Sequence, residues 1–122
     1  MHALIVDDEA DIREVARLSL ELIGGWDVTA ADCGSDAIAK ARALVPDVIL
    51  LDVMMPGIDG VATLQVLSED PATRHIPVIF LTAKAQVGER RRLEEAGACG
   101  LIAKPFDPMS LAEEVAEILA AI

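Results

Sequence analysis

Residues 48–57 read Val48-Ile49-Leu50-Leu51-Asp52-Val53-Met54-Met55-Pro56-Gly57, and this stretch constrains the fold more than any other. Consecutive aliphatic residues predict a short strand buried on both faces, as at the centre of a parallel sheet. A carboxylate follows where the strand should emerge, and Pro56-Gly57 then turns the chain into a loop. A strand does not require an acid at its end, so Asp52 is a candidate functional residue around which the remaining sequence is interpreted.

Length and composition limit the class of protein. With 122 residues, the sequence predicts one domain over 1–122 that can bury a core. We expect a soluble, cytoplasmic protein without membrane contact, because no apolar run reaches membrane-spanning length and no secretory leader is evident. The net charge of −11 argues against a nucleic-acid partner, since such partners are held mainly by Lys and Arg. Cys33 and Cys99 lack disulfide-framework or metal spacing, which predicts free thiols.

Short apolar runs alternate with amphipathic stretches along the chain. Further strands are predicted over 3–6, 26–31, 77–81 and 100–103, and a helical pattern follows each strand. Ser35, Asp59 and Asp107 are predicted to cap the second, third and last helices. The first helix should turn Ile12, Val15, Ala16, Ser19, Leu22 and Ile23 inward and end at Gly24-Gly25. The fourth helix, the weakest pattern, should turn Val87, Leu93 and Ala96 inward and Arg90-Arg91-Arg92 outward.

This alternation predicts an α/β fold, a doubly wound five-stranded parallel sheet of the flavodoxin-like kind with helices on both faces. Right-handed crossovers leave few ways to wind such a sheet. The second strand is weakly apolar and suits an edge, which favours the strand order 2-1-3-4-5. The chain then reverses direction between the first and third strands, and ligands bind beyond the carboxyl ends of the strands at such a point.

Polar side chains stand at the carboxyl ends of four predicted strands. Asp7 and Asp8 follow the first strand, Asp52 ends the third, Thr82 the fourth, and Lys104 follows the fifth. Each has an ordinary alternative explanation: acids favour a helix N-terminus, an acid caps a turn, and loop lysines are commonly solvated. Those explanations do not account for the whole set on one edge, so we interpret it as a functional site.

The charges of this set suggest its chemistry. Two carboxylates about 5 Å apart repel by roughly 3 kcal/mol at an effective dielectric of about 20. The cluster should therefore raise a pKa or bind a cation, and oxygen ligands in a wet cleft suit Mg²⁺. With the metal bound, Asp52 can stay ionised and attack a phosphoryl group. Mg²⁺ can take one phosphoryl oxygen, the Lys104 ammonium another and the Thr82 hydroxyl a third.

The motifs Asp7-Asp8, Leu51-Asp52-Val53-Met54-Met55-Pro56-Gly57-Ile58-Asp59-Gly60, Thr82-Ala83-Lys84 and Lys104-Pro105-Phe106 together resemble those of bacterial response-regulator receiver domains. The resemblance runs from end to end. It implies that Asp52 accepts phosphate from a sensor histidine kinase or phosphotransfer protein, and that Asp7, Asp8, Asp52 and the Met54 carbonyl hold Mg²⁺. Such a domain modifies only itself and is not otherwise an enzyme. Thr82 would follow the phosphate and alter the face of helix four, strand five and helix five, which would bind a downstream protein or form a homodimer.

The sequence departs from the family at one position that bears on output. Receiver domains usually carry an aromatic residue three positions before the lysine, and here that residue is Leu101. Leucine cannot supply the aromatic's hydrogen bond or volume, so the usual aromatic readout is in doubt while the phosphoacceptor assignment is not. Met54 and Lys84 correspond to positions that tune phosphoryl lifetime in the family, in a direction that the sequence does not give.

Two alternatives of other classes stay open at this point. A phosphatase of the haloacid-dehalogenase type also uses an acid after its first strand, but it requires Asp-x-Asp where this chain has Asp7-Asp8-Glu9. The other alternative is an interaction module that keeps the fold and is controlled without phosphate. The sequence also leaves open whether the domain stands alone or belongs to a longer protein, and which kinase, pathway and output it serves.

Overall fold

The computed structural model describes residues 1–83 and 87–122, with the side chain of Val87 left out. In these residues the strands form one parallel sheet in the order β2-β1-β3-β4-β5, with a helix after each strand. The predicted α/β fold and strand order are thereby confirmed. The elements are β1 (His2–Val6), α1 (Ala10–Leu22), β2 (Asp27–Ala31), α2 (Gly34–Leu44), β3 (Val48–Asp52), α3 (Gly60–Glu69), β4 (Val78–Thr82), α4 (Val87–Glu95), β5 (Gly100–Ala103) and α5 (Leu111–Ala120).

The sheet divides the apolar core into two layers. On one side α2, α3 and α4 cover β1, β3 and β4 with residues that include Leu64 and Leu93. On the other side α1 and α5 cover the same strands with residues that include Leu20 and Val115. Every residue of β3 and of β4 is buried, whereas β2 lies at an edge and is mostly half-buried. The central strands are therefore fixed from both faces, and their carboxyl ends form a rigid base for a site.

Two of the predicted helix caps are wrong. The Asp59 side chain does cap α3, accepting from the Ala62 amide at 2.8 Å. Helix α2 instead begins at Gly34, ahead of Ser35, and within the described residues it has no side-chain cap hydrogen bond at its N-terminus. Gly34 packs closely on Thr63 and Ile58, since a Cβ there would lie within 2.8 Å of them. Asp107 caps only a turn, accepting from the Met109 amide at 2.9 Å, and α5 starts later, at Leu111.

The predicted inward face of α1 is also partly wrong. Ala16 and Ser19 are buried as expected, and so is Leu20, which the pattern did not select. Three residues predicted to face inward are exposed, to 42% for Val15, 79% for Leu22 and 47% for Ile23. The helix is apolar over a wider arc than the sheet and α5 cover. We call its uncovered part, with the adjoining loop, the α1 apolar patch; it consists of Val15, Leu18, Leu22, Ile23, Pro108 and Met109.

Helix α2 ends in an unusual backbone conformation. Val45, the residue after Leu44, has φ 45° and ψ 65°, in the left-handed region that β-branched residues rarely adopt. Its amide donates to the Ala41 carbonyl, which completes the last helical turn before Pro46.

Across the described residues, none of the helices combines the length and apolarity needed to cross a bilayer.

Candidate phosphoacceptor site

The carboxyl ends of the central strands meet in an open cleft. Asp52 is the last residue of β3 and Thr82 the last of β4, while Asp7 and Lys104 directly follow β1 and β5. The cleft has a volume of about 350 Å³, enough for a phosphoryl group and its ligands. The structure therefore brings these predicted site residues together at one edge of the sheet. The cleft is lined by Glu9, Ile12, Asp52, Val53, Met54, Thr82, Ala83, Lys104 and Pro105.

Asp52 lies at the base of this cleft with 4% of its surface exposed. One carboxylate oxygen accepts from the Met54 amide at 3.3 Å and lies 3.4 Å from the Lys104 ammonium nitrogen. Burial, and next the negative charge of Asp7, raise the pKa of Asp52 to about 6, although Lys104 and the Met54 amide oppose the rise. The carboxylate is thus ionised at neutral pH but is destabilised in that form, which favours a cation or a reaction that removes its charge.

Lys104 bridges the two buried carboxylates. Its Nζ donates to Asp7 Oδ2 at 2.9 Å, and the Asp7 Oδ1 accepts from the Glu9 amide at 2.9 Å. Burial of the ammonium opposes its charge, but the bond to Asp7 and the charges of Asp7 and Asp52 outweigh that effect, so the pKa of Lys104 is raised. This lysine is therefore held protonated within the site and is not the solvated loop residue of the alternative explanation.

The acidic residues form a suitable donor set for a hard cation. One carboxylate oxygen from each of Asp7, Asp8 and Asp52 lies within 4.8 Å of the others. Asp7 is fully buried, whereas Asp8 is exposed at the mouth of the cleft, where a metal could keep water ligands. Oxygen-only ligands with room for water match the requirements of Mg²⁺. The part of the Met54 carbonyl in such a site stays a prediction; the Met54 side chain is 77% exposed.

Thr82 and Leu101 connect the cleft with the layer beneath α4. Thr82 is buried and lines the cleft. Leu101 lies opposite Phe80 in the β4–β5 register and packs on the core layer that includes Phe80 and Leu93. The leucine at position 101 therefore lies beside a buried aromatic residue, Phe80, on the neighbouring strand. Lys84, which the sequence associated with phosphoryl lifetime, lies outside the described residues.

A close backbone approach fixes the loop after Asp52. The Gly60 amide donates to the Val53 carbonyl at 2.9 Å, and a Cβ on Gly60 would lie 2.4 Å from the Asp52 carbonyl oxygen. The first turn of α3 can approach Asp52 this closely because residue 60 has no side chain.

Sequence analysis gave no role in the site to several residues that line or support it. Glu9, Ile12 and Pro105 line the cleft, and the Arg13 guanidinium donates to the main-chain carbonyl of Asp7 at 2.8 Å. The available signal for Arg13 was its place in the first turns of α1, within reach of the preceding loop. A side-chain contact to a main-chain oxygen leaves no spacing pattern in a single sequence.

The cleft continues into the α1 apolar patch. A neighbouring hollow is lined by Asp11, Ile12, Val15, Lys104, Pro105 and Phe106. Ile12, Lys104 and Pro105 also line the cleft, and Val15 belongs to the patch. An apolar surface therefore extends from the cleft along α1.

Comparison with known proteins agrees with this geometry. The sequence pattern of the family described as "Response regulator receiver domain" matches residues 3–116. The chain belongs to this family. Among curated relatives, the receiver domain is 44% identical over 110 residues to the response regulator PleD of Caulobacter vibrioides, covering 88% of this chain and 24% of PleD. It is 40% identical over 116 residues to the phosphate regulon transcriptional regulatory protein PhoB of Escherichia coli, covering 95% of this chain and 50% of PhoB.

Solved structures with the same fold include other response regulators. The chemotaxis response regulator CheY4 of Vibrio cholerae superposes with a TM-score of 0.90 at 29% identity, covering 96% of this receiver domain and 97% of CheY4. A structure titled as a putative response regulator from Chloroflexus aurantiacus gives 0.89 at 35% identity, covering 98% and 97%. The chain spans between a quarter and a half of the length of the curated relatives PleD and PhoB. It is thus similar to receiver domains that occur within longer proteins, as well as to chains of its own length.

Proposed function

We propose that this receiver domain is a phosphorylation-controlled switch in which Asp52 accepts a phosphoryl group from the phosphohistidine of a sensor kinase or phosphotransfer protein. The observation that carries the proposal is the position of the Asp52 carboxylate, at the base of a cleft between an acidic cluster and the ammonium of Lys104. Family membership supports two-component signalling in general. The Mg²⁺ dependence, the donor and the response are our own inference from the site.

The proposed reaction transfers one phosphoryl group in line. A carboxylate oxygen of Asp52 forms a bond to phosphorus while the bond from phosphorus to the donor's imidazole nitrogen breaks, and that nitrogen keeps the electron pair. Lys104 and Thr82 both line the cleft, where the ammonium can neutralise one phosphoryl oxygen and the hydroxyl can donate a hydrogen bond to another. Asp7, Asp8 and Asp52 would hold Mg²⁺, which supplies positive charge to the remaining oxygen when bound. Phosphorylation converts the buried carboxylate into an acyl phosphate and moves the negative charge onto phosphoryl oxygens, which Lys104 and the bound cation would neutralise.

The donor surface that the structure favours is the α1 apolar patch, because this patch is continuous with the mouth of the cleft. A kinase domain that labels the wild-type chain should transfer more slowly to Leu18→Arg, while labelling by acetyl phosphate stays unchanged. Leu44→Arg is the matched control, since Leu44 is similarly exposed but lies on α2. Equal slowing of both variants would contradict this docking surface.

We place the response on the surface formed by α4, β5 and α5, with a downstream protein or a second copy as the partner. Arg90, Arg91 and Arg92 are exposed there as predicted, and Arg92 pairs with Glu89 at 2.8 Å. Charge reversal of Arg91 should weaken phosphorylation-dependent partner binding or dimerisation without changing the labelling of Asp52. The domain would act in the cytoplasm and catalyse only its own phosphorylation and dephosphorylation. The alternative is an interaction module controlled without phosphate. Its partner binding would be the same before and after phosphorylation.

Labelling tests the central proposal directly. Incubation with acetyl phosphate and Mg²⁺ should add one phosphoryl group that is lost in base, as expected of an acyl phosphate. The variant Asp52→Asn is the control, since asparagine keeps the shape of the side chain and loses the nucleophile. Labelling of that variant to the same extent, or turnover of a generic phosphate ester by the wild type, would contradict the proposal.

A further inference from the structure

The segment that leads from β1 into α1 is held by a guanidinium group that has no part in the proposed transfer. Arg13 Nη1 donates to the main-chain oxygen of Asp7 at 2.8 Å, and the Arg13 amide donates to the Glu9 carbonyl at 3.0 Å. The Glu9 amide in turn donates to the Asp7 carboxylate. These three hydrogen bonds link Asp7, Glu9 and Arg13 to one another, and they hold the backbone on both sides of Asp8.

This contact bears on the direction of the Asp8 side chain. The carbonyl of Asp7 and the amide of Asp8 belong to one rigid peptide plane, so a bond that orients the carbonyl also orients the backbone at Asp8. Asp7 is buried and both of its carboxylate oxygens accept hydrogen bonds, which hold it from several sides. Asp8 is exposed, and its place within 4.8 Å of the other acids depends on the backbone that carries it.

The charge of Arg13 would act in the opposite sense to its hydrogen bond. A positive charge close to the acidic ligands would compete with a bound metal, so removal of the Arg13 charge alone should strengthen divalent-cation binding. Removal of a bond that orients a ligand should weaken the same binding. The sign of the change therefore distinguishes the two roles.

We propose that Arg13 is a positioning residue, which orients the Asp7–Asp8 peptide so that the Asp8 carboxylate completes the cation site. The proposal rests on the proposed function in taking Mg²⁺ as the cation. It assigns to α1 a second role beside its apolar patch, because the same helix sets the geometry of the metal ligands through its second turn.

The test measures Mg²⁺ affinity by titration calorimetry without any phosphodonor. Arg13→Met keeps the length of the side chain and removes its donors, and we expect Mg²⁺ to bind about tenfold more weakly. Arg13→Lys should recover part of the affinity, since it keeps one charged donor of similar reach. Arg17→Met is the matched control, because Arg17 lies on the same helix but pairs with Glu14 and Glu21.

A second control separates positioning from general destabilisation. Thr73→Ala removes a buried hydroxyl that donates to the Leu67 carbonyl at 2.7 Å, remote from the cleft, and should lower stability without changing Mg²⁺ affinity. Unchanged or tighter binding by Arg13→Met would overturn the proposal, as would equal weakening by Thr73→Ala. If Arg13→Met does not fold, Arg13→Leu, which likewise has no side-chain donor, replaces it with the same two outcomes. Failure of the proposed function is distinct, because it would appear in the wild type itself, as an absence of Mg²⁺ binding or of labelling at Asp52 by acetyl phosphate.

Discussion

The ionised carboxylate of Asp52 is destabilised in the folded domain, and this leads to a prediction about the free energy of unfolding. Asp52→Asn should make the metal-free protein more stable at pH 7.5, because the ionised carboxylate is buried beside Asp7 and asparagine carries no charge. The variant amide oxygen can still accept from the Met54 amide and from Lys104, so the substitution removes charge without leaving a hydrogen-bonding partner unsatisfied.

The magnitude follows from the pKa of Asp52, which rises from an ordinary value of 3.8 to about 6 in the folded domain. Each pKa unit corresponds to about 1.4 kcal/mol, so the ionised carboxylate lowers the free energy of unfolding by up to about 3 kcal/mol. Between pH 3.8 and about pH 6, the folded state binds more protons than the unfolded state, because Asp52 holds its proton to a higher pH when folded. The contribution of Asp52 to stability is therefore fully favourable below about pH 4 and is lost as the pH rises through about 6.

Urea unfolding in EDTA, at several pH values between 4 and 8, measures this effect. The difference in unfolding free energy between Asp52→Asn and wild type should be roughly 1–3 kcal/mol at pH 7.5 and should shrink towards zero near pH 4. Added Mg²⁺ should stabilise the wild type more than the variant, because it binds the folded carboxylates. A variant that is less stable than wild type, or a difference that does not change with pH, would refute the reasoning.

Four further predictions concern the support of the site and the backbone. Lys104→Ala should raise the pKa of Asp52 above 6, since Lys104 lowers it now, and a ¹³C carboxyl titration measures that pKa. Gly60→Ala should destabilise the domain by about 1–3 kcal/mol and slow acetyl phosphate labelling, because its Cβ would meet the Asp52 backbone. Gly88→Ala in α4 meets no atom within 4 Å and should stabilise by about 0.5–1 kcal/mol. Val45→Gly should stabilise by about 1 kcal/mol in urea unfolding, because it relieves a left-handed β-branched residue.

Specific outcomes would contradict these predictions. A lower pKa of Asp52 in Lys104→Ala would mean that the ammonium does not stabilise the carboxylate. Equal effects of Gly60→Ala and Gly88→Ala would mean that the contact to the Asp52 backbone is unimportant. A less stable Val45→Gly would mean that the lost valine side chain contributes more than the relieved backbone.

The strands, and the position of the site residues at their carboxyl ends, could be predicted from the sequence because the apolar pattern and the parallel topology agree there. An uninterrupted aliphatic run such as Val48–Leu51 suits a strand buried on both faces, and β3 is buried throughout. Since parallel strands end at the same edge, the acids that follow β1 and β3 had to lie close together once the strand order was known. The observed closeness of Asp7, Asp8 and Asp52 follows from that topology.

The inward faces and the caps of the helices were less predictable. The spacing of apolar residues and the presence of a capping residue type are local features of the sequence, and they do not show which side of a helix packs on the rest of the protein. Val15, Leu22 and Ile23 have the spacing of a core stripe, but the sheet and α5 cover only part of that arc. Apolar residues of an interaction surface and of a core give the same pattern. Asp107 likewise carries the signal of a cap, but its side chain closes a turn before α5 begins.

The complete burial of β3 and β4 has a consequence for how such a domain can diverge. Amides in strands of this kind exchange with solvent mainly when the whole domain unfolds, so the alignment of Asp52 and Thr82 lasts as long as the fold itself. The outward residues of α1 and α4 are not part of those strands. Substitutions there can change the surface that a partner would meet, while the hydrogen-exchange protection of the strand ends stays unchanged. The receiver domain can thus acquire new partners by surface substitution without rebuilding its chemistry.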